Sequence, residues 1–210
     1  MGRIFWTDDI NWLGGYLMVI KAYNEHHPYL LFMDIEFNNR DLVQFAGLIF
    51  KMIDNDGGYQ LMRSCNQYVA ATVCYPFVEY TSLTNNFLAQ NGVPLRDVIA
   101  FIEEDFLGDI PLDELMIVSH GLRNDRLILQ ENGLDLSNMY EGKPIDGYCT
   151  FNNAKRILGR NKNLRLNDLA EEAGYYLHNA HNAFNDAWAE VSVYTYLKKK
   201  EAETLCKTNS

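Results

Sequence analysis

Three short stretches place acids and a histidine where they could do chemistry together. "FMDIEF" (32–37) sets Asp34 and Glu36 two apart inside an otherwise apolar run. Alternate residues of a strand share a face, so both carboxylates point the same way. Like charges so placed repel, and each raises the other's pKa unless a cation sits between them. In "VSHGLRNDRLIL" (118–129), Asp125 lies just past an apolar strand, at the start of a helix. That edge of an open α/β sheet is where ligands bind. In "HNAFNDAWAEV" (181–191), His181 precedes Asp186 by five residues. On one helix the two would stand about 140° apart. With His181 on a loop ahead of the helix, both can point into one cleft, and Ala183, Ala187 and Val191 form a small apolar side against the sheet.

The elements that must position these residues can be read along the chain. Residues 29–37 read as a strand and 42–53 as a second, with "DNDGG" (54–58) turning into a hairpin partner at 59–65. "TSLTNNFLAQNG" and "PLRDVIAFIEEDFLG" carry helical apolar spacing, and each ends at a glycine. "LMIVSH" (115–120) is a short apolar strand with a helix from about Asn124, and 146–150 is another short strand. Helical patterns near 151–159, 166–173 and 180–199 finish the chain, and a short helix is expected over 9–24. A strand-rich first half followed by alternating strands and helices predicts a mixed sheet covered by helices.

The three stretches, in this order, resemble the DEDDh class of 3′–5′ exonucleases, the proofreading-type family on the ribonuclease-H-like fold. The family's Asp-x-Glu strand matches "FMDIEF", its His-Asn-x-x-Phe-Asp matches "HGLRND", and its His-x-Ala-x-x-Asp-Ala matches "HNAFNDA". "LRLNDLAEEAG" is similar to the segment that precedes the third motif, and the likeness spans roughly residues 29–199. Gly121 and Asn124 stand where the family has Asn and Phe; neither position carries a carboxylate. Tyr175 and Tyr176 bring to mind the variant with tyrosine in place of the histidine. That tyrosine falls four residues before the final Asp, where this chain has Asn182, so the histidine class fits.

The resemblance implies an α/β, ribonuclease-H-like mixed five-stranded sheet with helices on both faces. It implies an exonuclease domain at 29–200; an N-terminal extension (1–28, helical and packed on the domain), for which the family offers no counterpart, and a C-terminal tail (201–210) are expected to flank it. It also implies two divalent cations, Mg²⁺ or Mn²⁺, held by Asp34, Glu36, Asp125 and Asp186. Hard cations prefer carboxylate oxygen, and four carboxylates match the formal charge of two such ions. Asp34 would bridge the pair, Glu36 and Asp186 would hold one ion and Asp125 would support the other. His181 would be the general base that takes the proton from the attacking water, a task suited to an imidazole. The expected activity is hydrolysis at the 3′ end of single-stranded DNA or RNA, releasing nucleoside 5′-monophosphates. The alternatives are a catalytically silent nucleic-acid-binding or scaffolding subunit, a proofreading subunit active only with a polymerase or other protein partner, and an oligoribonucleotide-degrading relative.

Substrate contacts are expected from Phe37, by stacking on the terminal base, and from His120, which orients its loop, meets substrate or makes a structural hydrogen bond. "NNAKRILGRNKNLRLN" (152–167) contains Lys155, Arg156, Arg160, Lys162 and Arg165 without an acid. Lys155, Arg156 and Arg160 are the expected phosphate contacts, against the bland reading of a solvated helix face.

Composition bounds the rest. The 210 residues are 48% hydrophobic and 13% aromatic, which fits one packed domain rather than disorder. The formal charge of −10 argues against a broad basic nucleic-acid surface, though not against handling phosphates locally through metal ions. No apolar run reaches a membrane span of roughly 18 residues, and no signal peptide is evident. Four scattered cysteines suggest neither zinc site nor disulfide framework, and a soluble, intracellular, cytoplasmic setting is expected.

Overall fold

The computed structural model describes residues 18–136 and 145–208. Six strands form one mixed sheet: β1 (Val19–Lys21), β2 (Tyr29–Asn38), β3 (Asp41–Met52), β4 (Gly58–Tyr68), β5 (Leu115–Ser119) and β6 (Asp146–Cys149), in the order β1-β4-β3-β2-β5-β6. The first four pair antiparallel, and β5 and β6 add in parallel. The strand that exceeds the expected five is β1. It replaces a helix at 19–21, because β4 offers an open edge to this stretch: Val19 to Lys21 pair with Gln60 to Gly58. The rest of that expected helix, residues 9–17, lies outside the described residues.

The helices are α1 (Tyr75–Thr81), α2 (Asn85–Asn91), α3 (Leu95–Ala100), α4 (Leu122–Glu131), α5 (Thr150–Leu158), α6 (Leu166–Glu172) and α7 (Ala183–Thr208). α3 runs on as a π-helical segment over Phe101–Leu107. α7 continues through Thr208, so most of the expected C-terminal tail is helix. No helix among the described residues is long and apolar enough to cross a membrane.

Strand alternation divides the core. Leu31, Met33 and Ile35 of β2 pack with Phe106, Ile128 and Leu129 on one face. Leu30 and Phe32 pack on the other with Ala187, Val191 and Tyr194 of α7. Helices therefore cover both faces, as expected, and Asp34 and Glu36 continue the α7 side of β2. β3 is buried from Leu42 to Phe50, the pattern of a central strand covered on both faces. At Gly47 a Cβ would come within 2.7 Å of the Phe106 ring, so the glycine gives that ring room to approach the strand.

α7 carries an unusual stripe. Asp186, Glu190, Tyr194 and Lys198 recur at four-residue steps, and all are buried. At its far end, Tyr194 Oη and Lys198 Nζ both donate to Glu25 Oε2, at 2.7 and 3.2 Å. Glu25 Oε1 lies 2.6 Å from His27 Nδ1, and His27 Nε2 lies 2.9 Å from Asp146. This network straps residues 22–28 across the sheet end remote from Asp34.

Candidate active site

β2 and β5 run parallel, and β2 stands between β3 and β5 at the sheet's centre. Asp34 and Glu36 project from β2, Asp125 from the first turn of α4, and Asp186 from the first turn of α7. α4 follows directly from the β5 end through the turn at His120 and Gly121. His181 stands before α7 at φ 66°, on the loop that enters the helix, as the five-residue offset requires. Its N–H donates to Asp186 Oδ2 at 3.0 Å. Asn182 Oδ1 caps the new helix by accepting from Phe184 and Asn185.

These five side chains share the wall of one open cavity of about 970 Å³, together with Phe37, His120, Phe151 and Arg165. Ligand atoms of Glu36, His181 and Asp186 lie within 4.8 Å of one another. Burial pushes every one of the four carboxyls up. Asp34 is driven well above the carboxylate range by burial and then by Asp125, Asp186 and Glu36. Glu36 rises to about 8 from burial and then from Asp186 and Asp125. Asp186 rises to about 6 through burial. Burial also raises Asp125, against a hydrogen bond donated by the Ser119 hydroxyl.

The donor set fits divalent cations. Asp186 Oδ1 is buried without a hydrogen-bond partner among the described residues, and no described lysine or arginine stands close enough to offset the crowding of Asp34 and Glu36. Oxygen-rich, anionic and partly open, such a set suits hard ions.

Other expected residues divide. His120 lines the cavity with Nδ1 2.9 Å from Thr150 Oγ1, and burial lowers its pKa to about 4, leaving a neutral ring. Phe37 also lines it, just after the β2–β3 register shifts between Glu36 and Phe37. Lys155, Arg156 and Arg160 do not line it. Arg156 pairs with Glu201 at 2.7 Å, and Arg160 pairs with Glu172. Arg165, at the entrance to α6, lines the cavity and makes no ion pair with the described residues. Tyr175 and Tyr176 are not in the lining.

Sequence reasoning also passed over three neighbours. Phe151 packs edge-on to His120, with ring centroids 5.8 Å apart. Tyr80 of α1 meets the His181 ring the same way at 4.7 Å. Glu190 is completely buried below the site, and burial followed by Asp34 and Asp125 raises its carboxyl well above the usual range. Only Glu190 left a signal, an acid one helical turn after Asp186 on the same face.

No family model matches the chain, and neither does any curated protein. Its fold is nonetheless that of DEDDh 3′-exonucleases, as solved structures show. The nuclease domain of 3′hExo, a DEDDh family member bound to rAMP, superposes with a TM-score of 0.59 at 12% identity, over 83% of this chain and 94% of that one. E. coli exonuclease I, in a zinc-bound complex with single-stranded DNA, gives 0.65 at 19% identity, over 84% of this chain and 42% of the larger one. Exonuclease X, in complex with 5′ overhanging duplex DNA, gives 0.60 at 15% identity, over 82% and 93%. The ribonuclease-H-like exonuclease fold expected from the three motifs is thus the fold observed.

Proposed function

We propose that this chain is a divalent-cation-dependent 3′–5′ exonuclease that removes nucleoside 5′-monophosphates from a single-stranded nucleic-acid end. One observation carries the reading: Asp34 and Glu36, Asp125, and His181 with Asp186 come from three separate segments to one cavity wall. A packing role does not account for four crowded, half-buried or buried acids, because their repulsion and desolvation oppose folding.

Asp34, Glu36, Asp125 and Asp186 would hold two Mg²⁺ or Mn²⁺ ions. Such ions, when bound, neutralise charge on the phosphoryl oxygens, activate water and assist the leaving oxygen. His181 takes the proton from the attacking water. The water oxygen forms the new bond to phosphorus, the bond to the 3′ oxygen breaks, and that oxygen takes a proton from solvent, to which His181 returns the one it accepted. Exposure of His181 at the loop before α7 suits repeated exchange of that proton with solvent. Phe37 and Phe151 offer apolar planes for the terminal base. Arg165 offers a phosphate contact that the net charge of −10 does not. The nucleic acids and nucleotide named for the solved structures are ligands of the same chemical class.

The test is degradation of 3′-end single-stranded DNA and RNA oligonucleotides by the isolated chain, with Mg²⁺, with Mn²⁺ and with chelator. Stepwise loss of 3′ nucleotides, abolished by chelator and by Asp34→Ala, is expected. No degradation of either polymer at any cation concentration overturns the proposal of a stand-alone enzyme.

A further inference from the structure

Glu190 lies one turn beyond Asp186 on α7, with its side chain completely buried and Oε2 without a partner among the described residues. An apolar residue of similar volume would be the less costly occupant of such a place. What Glu190 does is accept the backbone N–H of His120 through Oε1 at 2.7 Å. His120 stands just past the last β5 residue that pairs with β6, Ser119, so its N–H needs an acceptor from elsewhere. The other polar groups of His120 are held too: Thr150 Oγ1 lies 2.9 Å from Nδ1, and the Cys149 thiol donates to its carbonyl at 3.4 Å. The next links lead to a cavity acid. The Gly121 N–H donates to Ser119 Oγ at 3.2 Å, and the Ser119 hydroxyl donates to Asp125.

We infer that Glu190 is a positioning residue that ties α7 to the 119–121 turn and so fixes Asp125 relative to Asp186. The inference rests on the proposal that these two acids share a cation site. Asp186 and Glu190 sit on one rigid helix, whereas Asp125 belongs to an element that begins at the turn. The 2.7 Å bond is a direct link between them. Without it, the turn would keep its Thr150 and Cys149 contacts but lose its tie to the helix that carries Asp186.

Glu190→Gln and Glu190→Leu in the full chain test this, with Mn²⁺ affinity measured by calorimetry and turnover measured on an oligonucleotide. Gln retains an acceptor oxygen, so its Mn²⁺ affinity should stay close to that of the parent. Leu fills similar volume without an acceptor, and should weaken Mn²⁺ by about 10–100-fold, the usual loss for an outer-shell partner, and lower kcat more than it raises KM. A folded Leu variant with parental Mn²⁺ affinity and kcat overturns the inference. So does a Gln variant as impaired as Leu, because charge rather than an acceptor would then be the requirement. If Leu does not fold, the Gln variant decides alone: retained affinity supports the inference and lost affinity overturns it. Mn²⁺ binding is read without turnover, so an inactive parent that binds Mn²⁺ refutes the proposed activity while leaving this test in force.

Discussion

The backbone N–H of His181 donates to Asp186 Oδ2 at 3.0 Å. The candidate base and a candidate cation ligand are thereby joined through main chain rather than ring, which leaves the imidazole free to face the cavity. Their roles should separate on mutation. His181→Ala is expected to lower kcat by about 10²–10⁴-fold, the usual worth of a general base, while Mn²⁺ affinity stays near parental. Asp186→Asn, which keeps an acceptor for the N–H, is expected to lose both. Calorimetry with single-turnover kinetics distinguishes them, and a His181→Ala protein that loses Mn²⁺ would make the histidine a ligand.

Tyr80 touches His181 edge-to-face from α1, an element with no other part in the site. Aromatic pairs of this geometry are worth about 0.5–1.5 kcal/mol. Tyr80→Phe should therefore leave turnover unchanged. Tyr80→Ala should lower kcat by up to about tenfold by loosening the ring. A rise in KM alone would assign Tyr80 to substrate stacking.

The basic run should divide by partner. Arg156 and Arg160 are engaged by Glu201 and Glu172, so Arg156→Ala and Arg160→Ala should leave KM unchanged. Arg165→Ala should raise KM and reduce the salt slope by about one phosphate contact. Steady-state kinetics over a salt series measures both. Equal effects from all three would restore the whole run to substrate binding.

The cation-free protein should lose stability as pH rises. Glu36, at about 8 in the fold against 4.5 as a free side chain, holds its proton more tightly when folded. Its contribution is full below about 4.5 and is lost as pH climbs through about 8. Burial lowers His27, but Glu25 and Asp146 together outweigh it and leave the group raised, so it acts in the same direction. The chelated protein should therefore melt lower at about pH 9 than at about pH 6, and Mn²⁺ should narrow the gap. Glu36→Gln should flatten the profile; an unchanged slope would exclude Glu36 as its source.

Far from the site, Glu25 and Lys198 form a buried pair. Burial pushes the Glu25 carboxyl up, but His27, Tyr194 and Lys198 outweigh it and hold the group at about 2. Glu25→Ala leaves Lys198 unpaired and should cost about 3–5 kcal/mol. Denaturant midpoints measure the loss, and activity per folded molecule should not change. A shift below about 1 kcal/mol would place the pair in the class of surface bridges.

Much of this architecture was legible in the sequence because it rests on local signals. Apolar runs marked β2 and β3, and "DNDGG" marked the hairpin turn from β3 into β4: Asp54 Oδ1 accepts from the Asp56 and Gly58 N–H groups. Asp34 and Glu36 were legible because carboxylates in an apolar strand are out of pattern, and Asp125 and Asp186 because they follow in the order and spacing of the other two motifs. What was missed depends on long-range partners. Val19 to Lys21 become a strand only because β4 lies open beside them. Arg156 and Arg160 read as free cations until Glu201 and Glu172 fold back onto them. His27 carried no local pattern, yet it bridges Glu25 and Asp146 across a sequence gap of 119 residues to the latter.

The stripe on α7 has a consequence for how finely the cavity is aimed. A helix seated only by Ala183, Ala187 and Val191 could turn slightly about its own axis, because apolar contact is non-directional. Four polar groups with directional partners remove that freedom, as teeth set the phase of a gear. Lys198 lies twelve residues, or about 18 Å, along the axis from Asp186. The angle at which Asp186 enters the cavity is therefore held in part by an ion pair at the opposite end of the sheet.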